Sequence, residues 1–169
     1  PIVMAVIVAL LEKRKKLSII LASGTALFLG GFAQFFPGEQ KLDIGPLLIV
    51  FQDELGFFGR QIILSRDIYP FIALLFLMTG LWNLASGLSG VPSVFRPISL
   101  TMTALLTAAL GVKPFLYAAL IMEVAILLSI PMLSPQGKKP AAGVQRYLLF
   151  QTLAVPFILM AGWLLTGVE

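Results

Sequence analysis

Long apolar runs separated by short polar stretches dominate this chain. "PIVMAVIVALL" opens it and stops at "EKRKK". Further runs cover Leu17–Phe36, Tyr69–Leu88, Pro97–Val112, Pro114–Leu133 and Val144–Leu165. A helix needs about 20 residues to cross a bilayer, and all but the first run and the shorter Pro97–Val112 run meet that length. The pattern predicts an all-α membrane protein, a helical bundle of about six transmembrane helices with the first one truncated. That first run is read as the tail of a helix that began upstream. The last run stops at "LLTGVE" without a polar tail, so the chain is read as a fragment cut at both ends. Pro97 and Pro114 stand at span starts, where a missing N–H costs little. "SPQGKKPAAG" closes the fifth run, because Pro and Gly together cannot continue a helix.

The organisation follows from these runs. Residues 1–36 hold the first two helices. Residues 37–68 form a long connection with an interfacial segment. Residues 69–169 hold four helices. Within the connection, "IGPLLIVF" is too short to span and is read as a strand, a hairpin or a segment lying in the interface. "ELGFFGRQIILSRD" is read as a short amphipathic surface helix.

Composition reinforces the membrane reading. Of 169 residues, 59% are hydrophobic and 12% charged, against about half apolar and about a quarter charged in soluble domains. There is no His and no Cys, which excludes disulfides, thiolate chemistry, imidazole ligands and His-based triads in this segment. The net charge of +4 does not form a basic groove, because the charges cluster at the ends of apolar runs. No cofactor and no nucleic-acid partner are expected.

The charges orient the bundle. Alternate connections at 12–16, 89–96 and 134–143 carry Lys13, Arg14, Lys15, Lys16, Arg96, Lys138 and Lys139, with Arg146 just beyond. The other set, 37–68 and the turn at 111–113, carries Lys41, Arg60, Arg66 and Lys113. The positive-inside rule places the first set in the cytoplasm and the 37–68 connection outside. Glu39, Asp43, Asp53, Glu54 and Asp67 all fall in the outward set.

Small residues mark packing faces, since they let helix backbones approach closely in lipid. Ala22, Ala26 and Gly30 recur every fourth residue, as do Thr103, Thr107 and Gly111, and as do Ser86 and Gly90.

One residue breaks the apolar pattern. In "YAALIMEVAILLSIP" Glu123 is the lone charge, near the middle of its span. A charge at the bilayer centre costs roughly 2.5–3.5 kcal/mol on insertion scales. Glu123 is therefore expected to be neutral, paired with a cation, or beside water, and intramembrane acids mark function by default. Its helix face contains Leu116, Ala119 and Ile130, and the small Ala119 leaves room beside it. No cation is read in any other span, so if Glu123 has a basic partner it comes from outside this segment or from another subunit. Gln151, two turns into the sixth span, and Pro156, which frees the Thr152 carbonyl, together could hold water near Glu123. Arg146 is read either as snorkelling to headgroups or as gating proton entry. Asn83 is expected to bond a neighbouring helix and Trp82 to pack. "EKRKK" reads as a topology and anionic-lipid anchor, and Asp53–Glu54 as a solvated turn rather than a cation site.

"FLYAALIMEVAILLSIPML" followed by "GVQRYLLFQTLAVPFILMAGWLL" resembles the antiporter-like, proton-translocating membrane subunits of respiratory complex I, of multisubunit Na+/H+ antiporters and of membrane-bound hydrogenases. Glu123 matches that family's helix-five glutamate. Arg146–Tyr147 stands where the family usually has Lys–Tyr. "LDIGPLLIVFQDELGFF" is similar to its outward loop. The resemblance implies the N-terminal part of a larger, about fourteen-helix antiporter-like fold. It also implies a lysine partner for Glu123 on a helix beyond Glu169. The function implied is a proton-conducting subunit, not catalytic alone, of an NADH-quinone oxidoreductase-like complex. Other membrane subunits would be its partners, protons or sodium ions its cargo, and a bacterial or archaeal cytoplasmic membrane its location. The alternative is a structural membrane subunit in which Glu123 is a neutral interhelical hydrogen bonder. A membrane-embedded enzyme is the weakest reading, for want of paired acids on one helix face or a glycine-rich phosphate loop.

Overall fold

A computed structural model describes residues 1–11, 13–35, 41–44, 47–50, 54–57, 60–63, 66–113, 115–133 and 141–165. These form six α-helices: α1 (Ile2–Leu10), α2 (Lys15–Phe35), α3 (Tyr69–Leu88), α4 (Phe95–Gly111), α5 (Phe115–Leu133) and α6 (Ala142–Leu165). Four of them, α2, α3, α5 and α6, are long and apolar enough to cross a membrane, with α4 shorter. Their surfaces say the same. Phe28, Phe71, Trp82, Phe150, Phe157 and Trp163 are each at least 62% exposed. A water-soluble monomer rarely shows so large an apolar surface, whereas lipid solvates it. The helices are those of an integral membrane protein.

The core lies among the first four helices. Ala5 and Val8 of α1, Ala22, Ala26 and Ala33 of α2, Ile72, Ala73 and Phe76 of α3, and Leu100 of α4 form one buried cluster. The α2–α3 seam is the tightest. A Cβ on Gly30 would meet the Leu77 backbone nitrogen at 3.1 Å and the Ala73 carbonyl at 3.2 Å, and one on Gly80 would meet Leu27 Cγ at 2.7 Å. Without a hydrophobic driving force between helices in lipid, this close approach supplies the packing energy. The Ala22–Ala26–Gly30 stripe is thus a packing face. Thr103 and Gly111 are buried on α4, with Thr107 half-buried. Gly90 departs from the expectation. It lies beyond the end of α3 at φ 65°, exposed, and its role is to turn the chain in a left-handed conformation after the helix, which Gly adopts without a Cβ penalty.

Hydroxyls inside the helices are satisfied locally. Ser23, Thr25, Thr79, Thr101 and Thr152 each donate to the carbonyl four residues back. This removes an uncompensated donor where water is scarce.

The 37–68 connection contains strands. β1 (Lys41–Ile44) pairs antiparallel with β2 (Leu47–Val50), from Lys41↔Val50 to Ile44↔Leu47. β3 (Glu54–Phe57) pairs with β4 (Arg60–Ile63), and a short 3-10 turn follows at Arg66–Ile68. The amphipathic helix expected over "ELGFFGRQIILSRD" does not form. Gly56 and Gly59 each cost about 1 kcal/mol in a helix, and the antiparallel pairing of Glu54–Phe57 with Arg60–Ile63 takes up this stretch instead. The last strand, β5 (Val112–Lys113), joins β4 through Gln61↔Lys113 and Ile62↔Val112. Both connections assigned outward by charge therefore meet at one end of the bundle. Asp53, the Glu54 side chain, Glu12 of "EKRKK" and residues 134–140 lie outside the described residues.

Candidate functional site

Glu123 is the ninth of the 19 residues of α5, and Gln151 stands near the middle of the 24-residue α6. The two helices run antiparallel, and Gln151 Nε2 donates to Glu123 Oε2 at 2.9 Å. Seven residues earlier on the same face of α5, the backbone of Leu116 lies close against α6: a Cβ on Gly162 would meet Leu116 Cα at 3.1 Å. Gly162 is the one buried residue of α6. Its lack of a side chain brings α6 near enough for an amide to reach the acid. Ala119, one turn from Glu123, is 4% exposed, so it serves the helix packing.

The arrangement has defined chemistry. An amide carries two N–H donors and a carbonyl acceptor. Gln151 can donate to a carboxylate and, after reorientation, accept from a carboxylic acid. Glu123 is half-buried, so it is neither sealed in the core nor on the open surface. The partner the structure gives it is neutral, not a cation. Arg146 and Pro156 are not brought to it. Both are exposed, and each lies five residues from Gln151, about 140° around the helix. Pro156 sits inside the unbroken α6, one turn beyond the exposed Thr152.

A second polar group sits among α2, α3 and α4. Asn83, fully buried, donates to the Thr79 carbonyl at 2.8 Å and to Ser99 Oγ at 3.0 Å. Thr79 and Thr103 hydroxyls meet at 2.6 Å, and Ser86 donates to the Asn83 carbonyl. The interhelical bond expected of Asn83 is present, and Trp82 contacts Phe95 at 6.1 Å between ring centroids.

Arg96 corrects the reading of the spans. Helix α4 begins at Phe95, two residues before Pro97, and so takes Arg96 into its first turn, where it is 3% exposed. A buried cation does lie inside one of the apolar helices, at the start of α4. Its Nη1 donates to Ser18 Oγ on α2 at 3.3 Å, while its Nε has no partner among the described residues. Sequence reasoning placed Arg96 in a loop because Pro97 looked like the first helical residue. Pro is equally at home anywhere in the first turn, where N–H groups lack helical acceptors. The signal available was the polar spacing of Arg96, Ser99 and Thr103 on one helix face.

Among the described residues, no three carboxylate, imidazole or thiol side chains gather as metal ligands. The chain matches no protein-family model, no curated protein and no solved structure.

Proposed function

We propose that this chain is an ion-conducting membrane subunit, in which Glu123 takes up and releases a proton at the middle of the bilayer. The observation that carries this reading is the Glu123–Gln151 pair at 2.9 Å, half-buried between two helices apolar enough to span. An acid at that depth has to be matched by a fixed polar group, and the amide is one that serves both protonation states. The resemblance of "LIMEVAILLSIP" to antiporter-like subunits gives the finer proposal: one half of an acid–lysine relay, the lysine standing on another helix. On that reading the cargo is protons or sodium ions and the partners are further membrane subunits of an energy-converting complex. Weakening the acid–lysine pair would release the lysine's proton along the membrane plane.

A second reading draws on the same hydrogen bond. A direct Gln–Glu contact between neighbouring helices is also how polar side chains hold membrane helices together, which would make the chain a scaffold. The discriminating experiment is Glu123→Gln in the full-length subunit within its native complex, with proton pumping followed in vesicles and assembly as control. Normal assembly with collapsed pumping supports the relay. Unchanged pumping with normal assembly supports the scaffold.

A further inference from the structure

A crevice of about 540 Å³ opens between α3, α4 and α5. Its wall is apolar: Leu75 from α3, Leu106 from α4, and Phe115, Ala118 and Met122 from α5. The charged residue on its lining is Lys113. This volume falls within the range of small-molecule sites, roughly 300–1,000 Å³, and the site has nothing in common with the Glu123–Gln151 contact. We propose that it holds one phospholipid of the outer leaflet, with an acyl chain against the apolar wall and the headgroup phosphate at Lys113.

Position, access and charge support this occupant. Lys113 belongs to β5, which pairs with β4 of the outward connection, so it stands at the aqueous end of the bundle. From Phe115 to Met122 the wall descends seven residues of helix, about 10 Å. One leaflet's hydrocarbon layer is about 15 Å deep. The crevice thus starts at headgroup level and descends to about the level of Glu123, along the path of an acyl chain. It also opens sideways. Leu110, Phe115 and Met122 line it and are 41%, 40% and 45% exposed, so a chain enters from the bilayer without crossing water. Gly111, buried at the back, adds no bulk there. Lys113 itself is exposed, and its backbone is held by sheet pairing on one side and by α5 on the other. A phosphate meets a cation whose attachment is fixed.

The test is photo-crosslinking in the full-length protein in bilayer nanodiscs. The probe is a phosphatidylglycerol with a diazirine on one acyl chain, and cross-linked residues are mapped by mass spectrometry. The outer face of α6, at Leu153 and Phe157, reports ordinary surrounding lipid, since both residues are more than half exposed. Labelling is expected to concentrate on Leu106, Phe115 and Met122. Lys113→Gln should lower it there about fivefold, the effect of losing one cation near a lipid phosphate. Met122→Trp, which fills the crevice from its exposed rim, should lower it as well. Neither change should alter labelling on α6. Equal labelling of crevice and α6, or no response to either variant, would overturn the proposal. An acyl methyl ester that labels as well as the phospholipid would also overturn it, by removing the headgroup's role. So would competition by inorganic phosphate, which would assign Lys113 to a free anion.

Discussion

Gln151 reaches Glu123 because Gly162 lets α6 lie against Leu116. The hydrogen bond at 2.9 Å and the 3.1 Å backbone approach occur on one shared face of two antiparallel helices. A double-mutant cycle of Glu123→Leu and Gln151→Leu, read by thermal stability in detergent, should therefore show coupling. Interhelical hydrogen bonds in membranes average about 0.6 kcal/mol and reach about 1.7, so coupling in that range is expected. Strict additivity would mean that the two side chains do not interact. Gln151→Leu should also slow pumping less than Glu123→Gln, since it removes a supporting amide and leaves the acid.

On the proposed relay, Gly162→Val should depress pumping although residue 162 never touches the acid. The new Cβ would stand 3.1 Å from Leu116 Cα with two methyl groups beyond it, which must push α6 outward, and the amide moves with it. Loss of pumping comparable to Gln151→Leu, with normal assembly, is the expected outcome.

The α2–α3 seam should be intolerant at two glycines and tolerant at a third. Gly80→Ala and Gly30→Ala place a methyl 2.7 Å and 3.0 Å from Leu27 and Leu77, and overpacking of this kind costs about 1–3 kcal/mol. Gly24, on the same helix as Gly30, has nothing within 4 Å of a new Cβ. Gly24→Ala should be neutral or stabilise by about 0.5–1 kcal/mol, the helix preference of Ala over Gly. Melting temperatures of the three variants in one detergent give the comparison.

Asn83 has donors and an acceptor engaged with Thr79 and Ser99. Asn83→Ala removes them and leaves an unfilled space at a fully buried site. A loss of about 1–3 kcal/mol is expected, larger than for Ser99→Ala, which keeps the Asn83 bond to the Thr79 carbonyl. Equal melting temperatures for the two variants would contradict the geometry.

The orientation is directly testable because the chain contains no Cys. Single cysteines at Lys13 and Lys113, both exposed, can be labelled with a membrane-impermeant maleimide on intact cells. Lys113→Cys should react at once and Lys13→Cys only after permeabilisation. The reverse result would invert the bundle and place the lipid crevice in the inner leaflet.

The sequence alone determined the order and bounds of the six apolar helices to within a few residues. Each span is a long apolar run, and in lipid the backbone must satisfy itself within one helix. The depth of Glu123 follows equally directly, by counting along its run. The paired strands were only partly legible: "IGPLLIVF" admitted a hairpin, but the stretch after it was read as an amphipathic helix, where the structure pairs β3 with β4 and β4 with β5. What only the tertiary structure decided is who meets whom. The juxtaposition of Gln151 with Glu123 depends on Gly162, eleven residues away and on the same helix face. The burial of Arg96 against Ser18 depends on where α4 starts and how α2 packs beside it. Both are set by distances between helices. Periodicity in one chain fixes which face a residue occupies, while packing against a neighbour fixes what that face touches.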